Sequence, residues 1–241
     1  MTKHIAMWSG PRNISTAMMR SFENRSDTFV SDEPFYGFYL KNTDIDHPGR
    51  KAILKSMECE WDKVVENITA SAPNGETVWY QKHMTQHNLP GVDLSWTRHV
   101  TNCFLIRDPK EVILSYSKKY DVTHSNLLGY PQQVELYRLL TDGDCVEPAI
   151  VDAKDILNNP RDILAKLCSA VGISFRNDML SWPAGPRVTD GIWSKYWYRS
   201  VEASTGFQPY TAPNEELPHE LEDIYEECLV YYDTLHRKRI Y

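Results

Sequence analysis

The 241 residues are 41% apolar, 12% aromatic and 24% charged, with 11 Gly and 14 Pro. That composition fills a sizeable core without a disulfide staple and excludes collagenous, low-complexity and wholly disordered chains. Lys plus Arg number 26 against 33 Asp plus Glu, a formal charge of −7, so a general attraction to nucleic acid or anionic membrane is excluded and an anionic ligand must meet a local basic site.

Lys3 to Trp8 reads as a short strand broken by Ser9-Gly10-Pro11, after which Ile14, Ala17, Met18 and Phe22 fall at helical spacing. Thr28 to Ser31 is a second short strand, Lys55 to Ser71 a helix, and Thr77 to Lys82 a strand rich in Val, Trp and Tyr. Val100 to Ile106, VTNCFLI, is the clearest buried strand. At Asp108-Pro109-Lys110-Glu111 an acidic N-cap, Pro at the first helical position and Glu three residues after the cap mark a helix start like a capping box. Ala149 to Asp152 is a strand, Pro160 to Val171 a helix, and Glu215 to Arg237 a long amphipathic helix; Trp182 to Tyr210, aromatic and rich in Gly and Pro, is mostly loop. With no repeat and no long linker, the alternation predicts one α/β domain over residues 1–241 with a central, mostly parallel sheet.

The apolar runs, such as Cys103 to Ile106 and Cys228 to Tyr232, fall far short of the ~18 residues that cross a bilayer. The opening MTKHIAMWSGPRN holds no apolar stretch long enough for a signal peptide. Cys59, Cys103, Cys145, Cys168 and Cys228 are scattered and never form C-x-x-C. They suggest neither a disulfide framework nor a thiolate zinc site, and a reducing cytoplasm is the expected location.

The segment Trp8-Ser9-Gly10-Pro11-Arg12-Asn13-Ile14-Ser15-Thr16 carries a strand straight into a helix. Unpaired N–H groups and the positive end of the helix dipole would face that loop and form an anion cradle, to which Arg12, Ser15 and Thr16 can add donors. It is not G-x-x-x-x-G-K-[ST]: counted from Gly10, Ser15 and Thr16 stand where the second Gly and the Lys belong. Taken alone, the loop is equally an ordinary turn with an exposed arginine. A second candidate lies at the end of the buried strand, where Arg107 precedes Ser115 by eight residues; taken alone, the pair reads more simply as an arginine terminating a strand and a serine on a polar helix face. The capped helix places Ser115 roughly 9 Å along its axis from Pro109, within reach of a ligand shared with the arginine.

Together these segments resemble the sulfotransferase superfamily, enzymes that use 3′-phosphoadenosine 5′-phosphosulfate (PAPS). Ser9 to Thr16 looks like their 5′-phosphosulfate loop, and Cys103-Phe104-Leu105-Ile106-Arg107-Asp108-Pro109-Lys110-Glu111-Val112 through Ser115-Tyr116 looks like their 3′-phosphate segment. The resemblance implies a three-layer α/β/α, P-loop-NTPase-like fold. It implies that Arg12, Asn13, Ile14, Ser15 and Thr16 hold the 5′ group and that Arg107 and Ser115 hold the 3′-phosphate. In Gly185 to Trp193, similar to the family's late loop, Arg187 would be a third phosphate ligand, with a solvated loop arginine the alternative. Arg12 stands where many soluble members have Lys, Ile14 replaces a usual Gly, and the aromatic that often follows the loop is absent after Thr16.

Sulfuryl transfer needs an aligned acceptor, a stabilised leaving group and a base. Lys82-His83-Met84 looks like the Lys-x-His neighbourhood of many sulfotransferases, shortened by one residue, and makes His83 the first candidate base. Lys82 or Arg12 would offset charge on the bridging oxygen. Glu33, in Ser31-Asp32-Glu33-Pro34-Phe35, resembles the Glu-Pro of bacterial and carbohydrate sulfotransferases and competes, provided burial raises its pKa. His87 is a weaker candidate in a loop beyond the strand. Phe35, Tyr36, Phe38 and Tyr39, with Trp193, Tyr196, Trp197 and Tyr198, either pack a core or line an acceptor pocket. The expected function is transfer of a sulfuryl group from PAPS, in line, to a hydroxyl or amine of a small acceptor, without a metal, nucleic acid or membrane partner. Two rivals share the opening: a nucleotide-dependent small-molecule kinase, which would need the Lys-Ser/Thr pair this loop lacks, and a catalytically silent PAP-binding module.

Overall fold

Ile5 and Met7 point to one face of the first strand, β1 (Lys3–Ser9), and Ala6 and Trp8 to the other, all four without solvent exposure. A strand apolar on both sides must lie inside a sheet covered by helices twice over. The computed structural model describes residues 2–142 and 147–241; Cys145 lies outside the described residues. Along the chain follow α1 (Ser15–Glu23), β2 (Thr28–Asp32), α2 (Tyr36–Lys41), α3 (Arg50–Ser56), α4 (Trp61–Thr69), β3 (Val78–Met84), β4 (Thr101–Ile106), α5 (Pro109–Tyr116), α6 (Tyr130–Thr141), β5 (Ala149–Asp152), α7 (Ala153–Asn158), α8 (Pro160–Ala170), α9 (Ser194–Trp197), α10 (Arg199–Glu202) and α11 (Glu222–His236).

Among the described residues the sheet has five strands, all parallel, in the order β2-β3-β1-β4-β5. The α/β class and parallel sheet expected from the sequence are what the chain adopts. Met18, Met19 and Phe22 of α1, Ile156 of α7 and Leu164 and Leu167 of α8 cover one face of the sheet. Ile68 of α4, Val134 and Leu136 of α6 and Cys228, Tyr232 and Leu235 of α11 cover the other. Order reverses between β1, which pairs with β3 on one side and β4 on the other. In parallel sheets the crevice at the carboxyl ends of two such strands is where ligands bind. Among the described residues no helix is long and apolar enough to cross a membrane.

Several expected boundaries move. The helix expected over Lys55 to Ser71 is two: Met57 is extended (ψ 154°), and the Glu58 carboxylate accepts the N–H groups of Cys59 and Glu60 at 2.8 and 2.9 Å, an alternative to helical bonding. The terminal helix starts at Glu222 rather than Glu215, because Pro218 disfavours helical backbone in the residue before it. β3 runs on to Met84, two residues past the strand end read from the sequence. The expected capping box is half made: the Asp108 side chain accepts from Lys110 N at 2.8 Å, but the Glu111 carboxylate goes to Arg107 and Tyr210.

The loop after β1 is set by contact with the turn before α6. A Cβ added at Gly10 would stand 2.2 Å from the Leu128 carbonyl oxygen. Thr85 Oγ1 ties the same two loops together, donating to either the Ser9 or the Gly129 carbonyl at 3.2 and 3.0 Å. Because the obstacle at Gly10 is backbone, Gly10→Ala is expected to cost about 1–3 kcal/mol of stability; a urea midpoint equal to that of the unaltered protein would show that the loop yields.

Candidate active site

Helix α1 begins in a loop whose backbone is left-handed at Arg12 (φ 60°) and Ile14 (φ 52°). The first intrahelical bond is made by Met18 N to Ile14 O, so the amides of Ser15, Thr16 and Ala17 precede the regular ladder and all three residues line a cavity of about 530 Å³. Asn13, buried beside them, donates from Nδ2 to the Leu105 carbonyl at 3.0 Å, and its Oδ1 has no partner. Arg12 Nε donates to Ser115 Oγ at 2.9 Å, while Arg107 donates to the Arg12 carbonyl at 2.7 Å and to Glu111 at 2.8 Å. Arg12, Asn13, Ile14, Ser15, Thr16, Arg107 and Ser115 therefore share one cavity, although β1 and β4 deliver them separately. Burial, and then the Arg107 charge, lower the Arg12 pKa. Arg12 has no acidic partner among the described residues, and Glu111 is the single acid paired with Arg107. Two guanidiniums against one carboxylate leave this wall with surplus positive charge, the chemistry of an anion site.

Arg187 is not brought there. Its Nη2 donates to the Pro183 carbonyl at 2.9 Å and its Nε lies 3.8 Å from Glu23. Glu23 closes α1, eight residues beyond Ser15, which puts it roughly 12 Å along the axis from the start of the helix. The loop around Arg187 is held by Asp190, which pairs with the buried Arg20 at 2.7 Å.

At the opposite wall the sheet contributes Lys82 and Glu33. Alternation along β3 directs Val78, Tyr80 and Lys82 to the α1 face and sends His83 to the other. Lys82 Nζ bonds to Asp32 Oδ1 at 2.8 Å, to Glu33 Oε1 and to the Tyr198 hydroxyl at 2.8 Å. The hydroxyl donates to Asp32, lying 2.8 and 2.7 Å from its two oxygens, and accepts from Trp193 Nε1 at 3.3 Å. Gly191 N also donates to Asp32, at 3.0 Å. Burial opposes the ammonium, but the combined pull of Asp32, Glu33 and Tyr198 raises the Lys82 pKa well above its ordinary value. Glu33, left-handed at φ 45°, keeps its Oε2 toward His87 Nε2, 3.9 Å away. Burial, reinforced by Asp32, outweighs Lys82 and raises its pKa.

His83 is placed away from this chemistry. Its ring stacks on Trp8 at 4.3 Å, packs beside Phe35 and Trp96, and its Nε2 bonds to Gln81 Oε1 at 3.1 Å. The strand continuing to Met84 is what turns it inward. His87, which the sequence ranked below it, lines the cavity between the rings of Tyr36 and Tyr39 at 5.0 and 4.7 Å, with Nδ1 buried and unpartnered. Burial, then the Lys82 charge, hold His87 neutral, its pKa well below 6.5. The aromatics do both things the sequence allowed: Tyr36, Tyr39, Trp193 and Tyr198 form a buried cluster and also line the cavity. Asp32 was not read as a site residue, and Tyr198 was read only as an aromatic that packs a core or lines a pocket, not as a hydrogen-bond partner of Lys82; the period-two pattern of β2, which puts Val30 and Asp32 on one face, was the available signal for the first.

With this geometry in hand, similarity to known proteins is informative. The sulfotransferase-domain family matches residues 3–239, and the chain belongs to that family. Two Arabidopsis thaliana proteins called branched-chain-amino-acid aminotransferase-like protein 2 and 1 are 34% and 35% identical over 231 residues. The match takes in 96% of this chain and 41% of each of theirs, so the chain spans about two-fifths of their length. Among solved structures, the fold is similar to a sulfotransferase domain from the curacin biosynthetic pathway (TM-score 0.52, 16% identity, 94% of this chain and 97% of that one). It is similar also to a sulfotransferase from Alicyclobacillus acidocaldarius (TM-score 0.55, 11% identity, 100% and 98%).

Burial lowers the His83 pKa to about 3 from an ordinary 6.5. The folded chain thus lacks a proton that the unfolded chain binds between those values, so stability falls as pH drops through that window. His83→Phe, which keeps the ring stack, is expected to flatten the fall by about 1.4 kcal/mol per pH unit. Urea midpoints across mildly acidic pH check this; an unchanged slope would mean that His83 titrates alike in both states.

Proposed function

We propose that this sulfotransferase moves a sulfuryl group from PAPS to a hydroxyl or amine of a small acceptor bound against Glu33. The observation that carries the reading is the single cavity in which Arg12 and Arg107 stand at one wall and Glu33 at the other. The first wall fits a doubly phosphorylated nucleotide: it sets two guanidiniums against one carboxylate and adds the amides of the first helical turn. Arg12 with the amides of Ser15 and Thr16 would hold the 5′ end, and Arg107 with Ser115 the 3′-phosphate. When bound, PAPS supplies a sulfuryl group on a phosphate leaving group.

Glu33 takes the base role that the sequence had given first to His83. Its raised pKa brings it toward the working range, and Oε2 is the oxygen that Lys82 leaves free. The acceptor's proton passes to Glu33 as its oxygen or nitrogen bonds to sulfur and the sulfur–oxygen bond to the leaving phosphate breaks. Arg12 offsets the charge that accumulates on the departing oxygen. Lys82 and Asp32 hold Glu33 in place, and His87 Nε2 stands 3.9 Å from its free oxygen.

PAP is expected to raise the melting temperature by roughly 5–10 °C at about a hundredfold excess over Kd, and Arg107→Ala to abolish the rise; no shift at millimolar PAP would refute PAPS as donor. With an acceptor from a phenol, alcohol and amine panel, Glu33→Gln is expected to lose about 10²–10⁴-fold in kcat, and His83→Ala to retain turnover once corrected for its folded fraction. The reverse pattern would restore His83 as base.

A further inference from the structure

The acceptor end of the cavity has a composition of its own. Its walls are the rings of Tyr36, Tyr39, Tyr120, Trp193 and Trp197, and Asp46 stands exposed at its rim. Burial raises the pKa values of Tyr36 and Tyr39 above the ordinary 10, so both phenols stay neutral and their faces electron-rich. Tyr120 stacks on Trp197 at 5.0 Å, and Trp197 Nε1 donates to His47 Nε2 at 3.1 Å.

The fixed charges at this end are unequal. Lys82 is the lining ammonium, and it is bonded to two carboxylates, Asp32 and Glu33. Asp46 has no ion pair among the described residues. Arg50 anchors the same segment through the Ile45 and Thr43 carbonyls and is not a lining residue. Both ring nitrogens of His47 face N–H donors, from Trp197 and from Gly49, an arrangement that disfavours the doubly protonated ring. His87 is neutral, and its buried Nδ1 faces no protein partner. Electron-rich faces, with two lining carboxylates, Glu33 and Asp46, against the one lining ammonium of Lys82 at this end among the described residues, are unsuited to an anionic acceptor and complementary to a positive one. Lys119, exposed and not among the residues that line the cavity, lies 5.0 Å from the centre of the Trp197 ring.

We infer that the acceptor is a cation, an alcohol or phenol carrying an ammonium group that sits among the rings near Asp46 while its hydroxyl reaches Glu33. This rests on the sulfuryl-transfer reading for the identity of the reacting end, and on the aromatic end of the cavity for the charge.

Calorimetric titration of the full chain tests it with two pairs of probes matched in shape and differing by one positive charge: choline against 3,3-dimethyl-1-butanol, and tyramine against 4-ethylphenol. At least one of the two cations is expected to bind about tenfold more tightly than its neutral partner. Asp46→Asn and Trp197→Leu are each expected to erase that preference while the PAP-dependent thermal shift persists. Should Trp197→Leu fail to fold, the surface change Asp46→Asn decides. Equal affinity within both pairs, or no heat from either cation at millimolar concentration, overturns the cationic acceptor. A retained PAP shift then leaves the donor reading standing, whereas a missing PAP shift with an intact cation preference refutes the donor and keeps the cation site.

Discussion

A lysine taken out of water at the carboxyl end of β3 governs much of what surrounds it. Left alone, a buried ammonium costs several kcal/mol and would surrender its proton. Lys82 keeps it because Asp32 comes from β2, its neighbour in the sheet, and Tyr198 from a segment 116 residues further on. Removing one partner strands the other charges, so Lys82, Asp32, Glu33 and Tyr198 stand or fall together. Asp32 also accepts from Gly191 N, and the ionic cluster thereby pins the stretch that carries Trp193 and Trp197 over the cavity. The acceptor wall is thus fastened to the sheet by electrostatics rather than by strand pairing.

Saturation of Asp32 has a chemical corollary. With Lys82, Tyr198 and Gly191 all directed at it, Asp32 has little capacity left for a ligand, whereas Glu33 commits one oxygen to Lys82 and turns the other toward the cavity. Adjacent carboxylates in the sequence therefore acquire separate surroundings, one saturated with donors and one left with a free oxygen, which is what the proposed base role requires. Across the cavity the bookkeeping is inverted, since Arg12 and Arg107 outnumber Glu111. One hollow holds opposite surpluses at its two ends, a polarity suited to bringing an anionic donor and a non-anionic acceptor together in one orientation.

The parts legible in the sequence were those with local signatures. A buried run ending in Arg107, a helix begun by Asp108-Pro109 and a serine two turns later need no distant partner to be recognised, and all three lie where the spacing put them. The Ser9 to Thr16 loop was legible for the same reason. What failed was parity. Whether Lys82 or His83 faces the cavity depends on how far β3 stays extended, and in a strand each residue sends its side chain to the face its neighbour avoids. Arg187 failed because a loop's basic residue carries no indication of which end of α1 it will reach. The Tyr198 tether and the ring stack around His87 join segments far apart in the chain, so no local pattern announces them.

Among the described residues, three other than glycine, Arg12, Ile14 and Glu33, have left-handed backbone, and all three line the cavity. Such conformations cost of order 1–3 kcal/mol each and persist only where surrounding packing enforces them. The protein thus concentrates its least comfortable backbone where both reactants would meet, and selection for heat resistance alone would erode this region first. Any effort to harden the enzyme should leave these turns untouched and look for its gains in the outer helices instead.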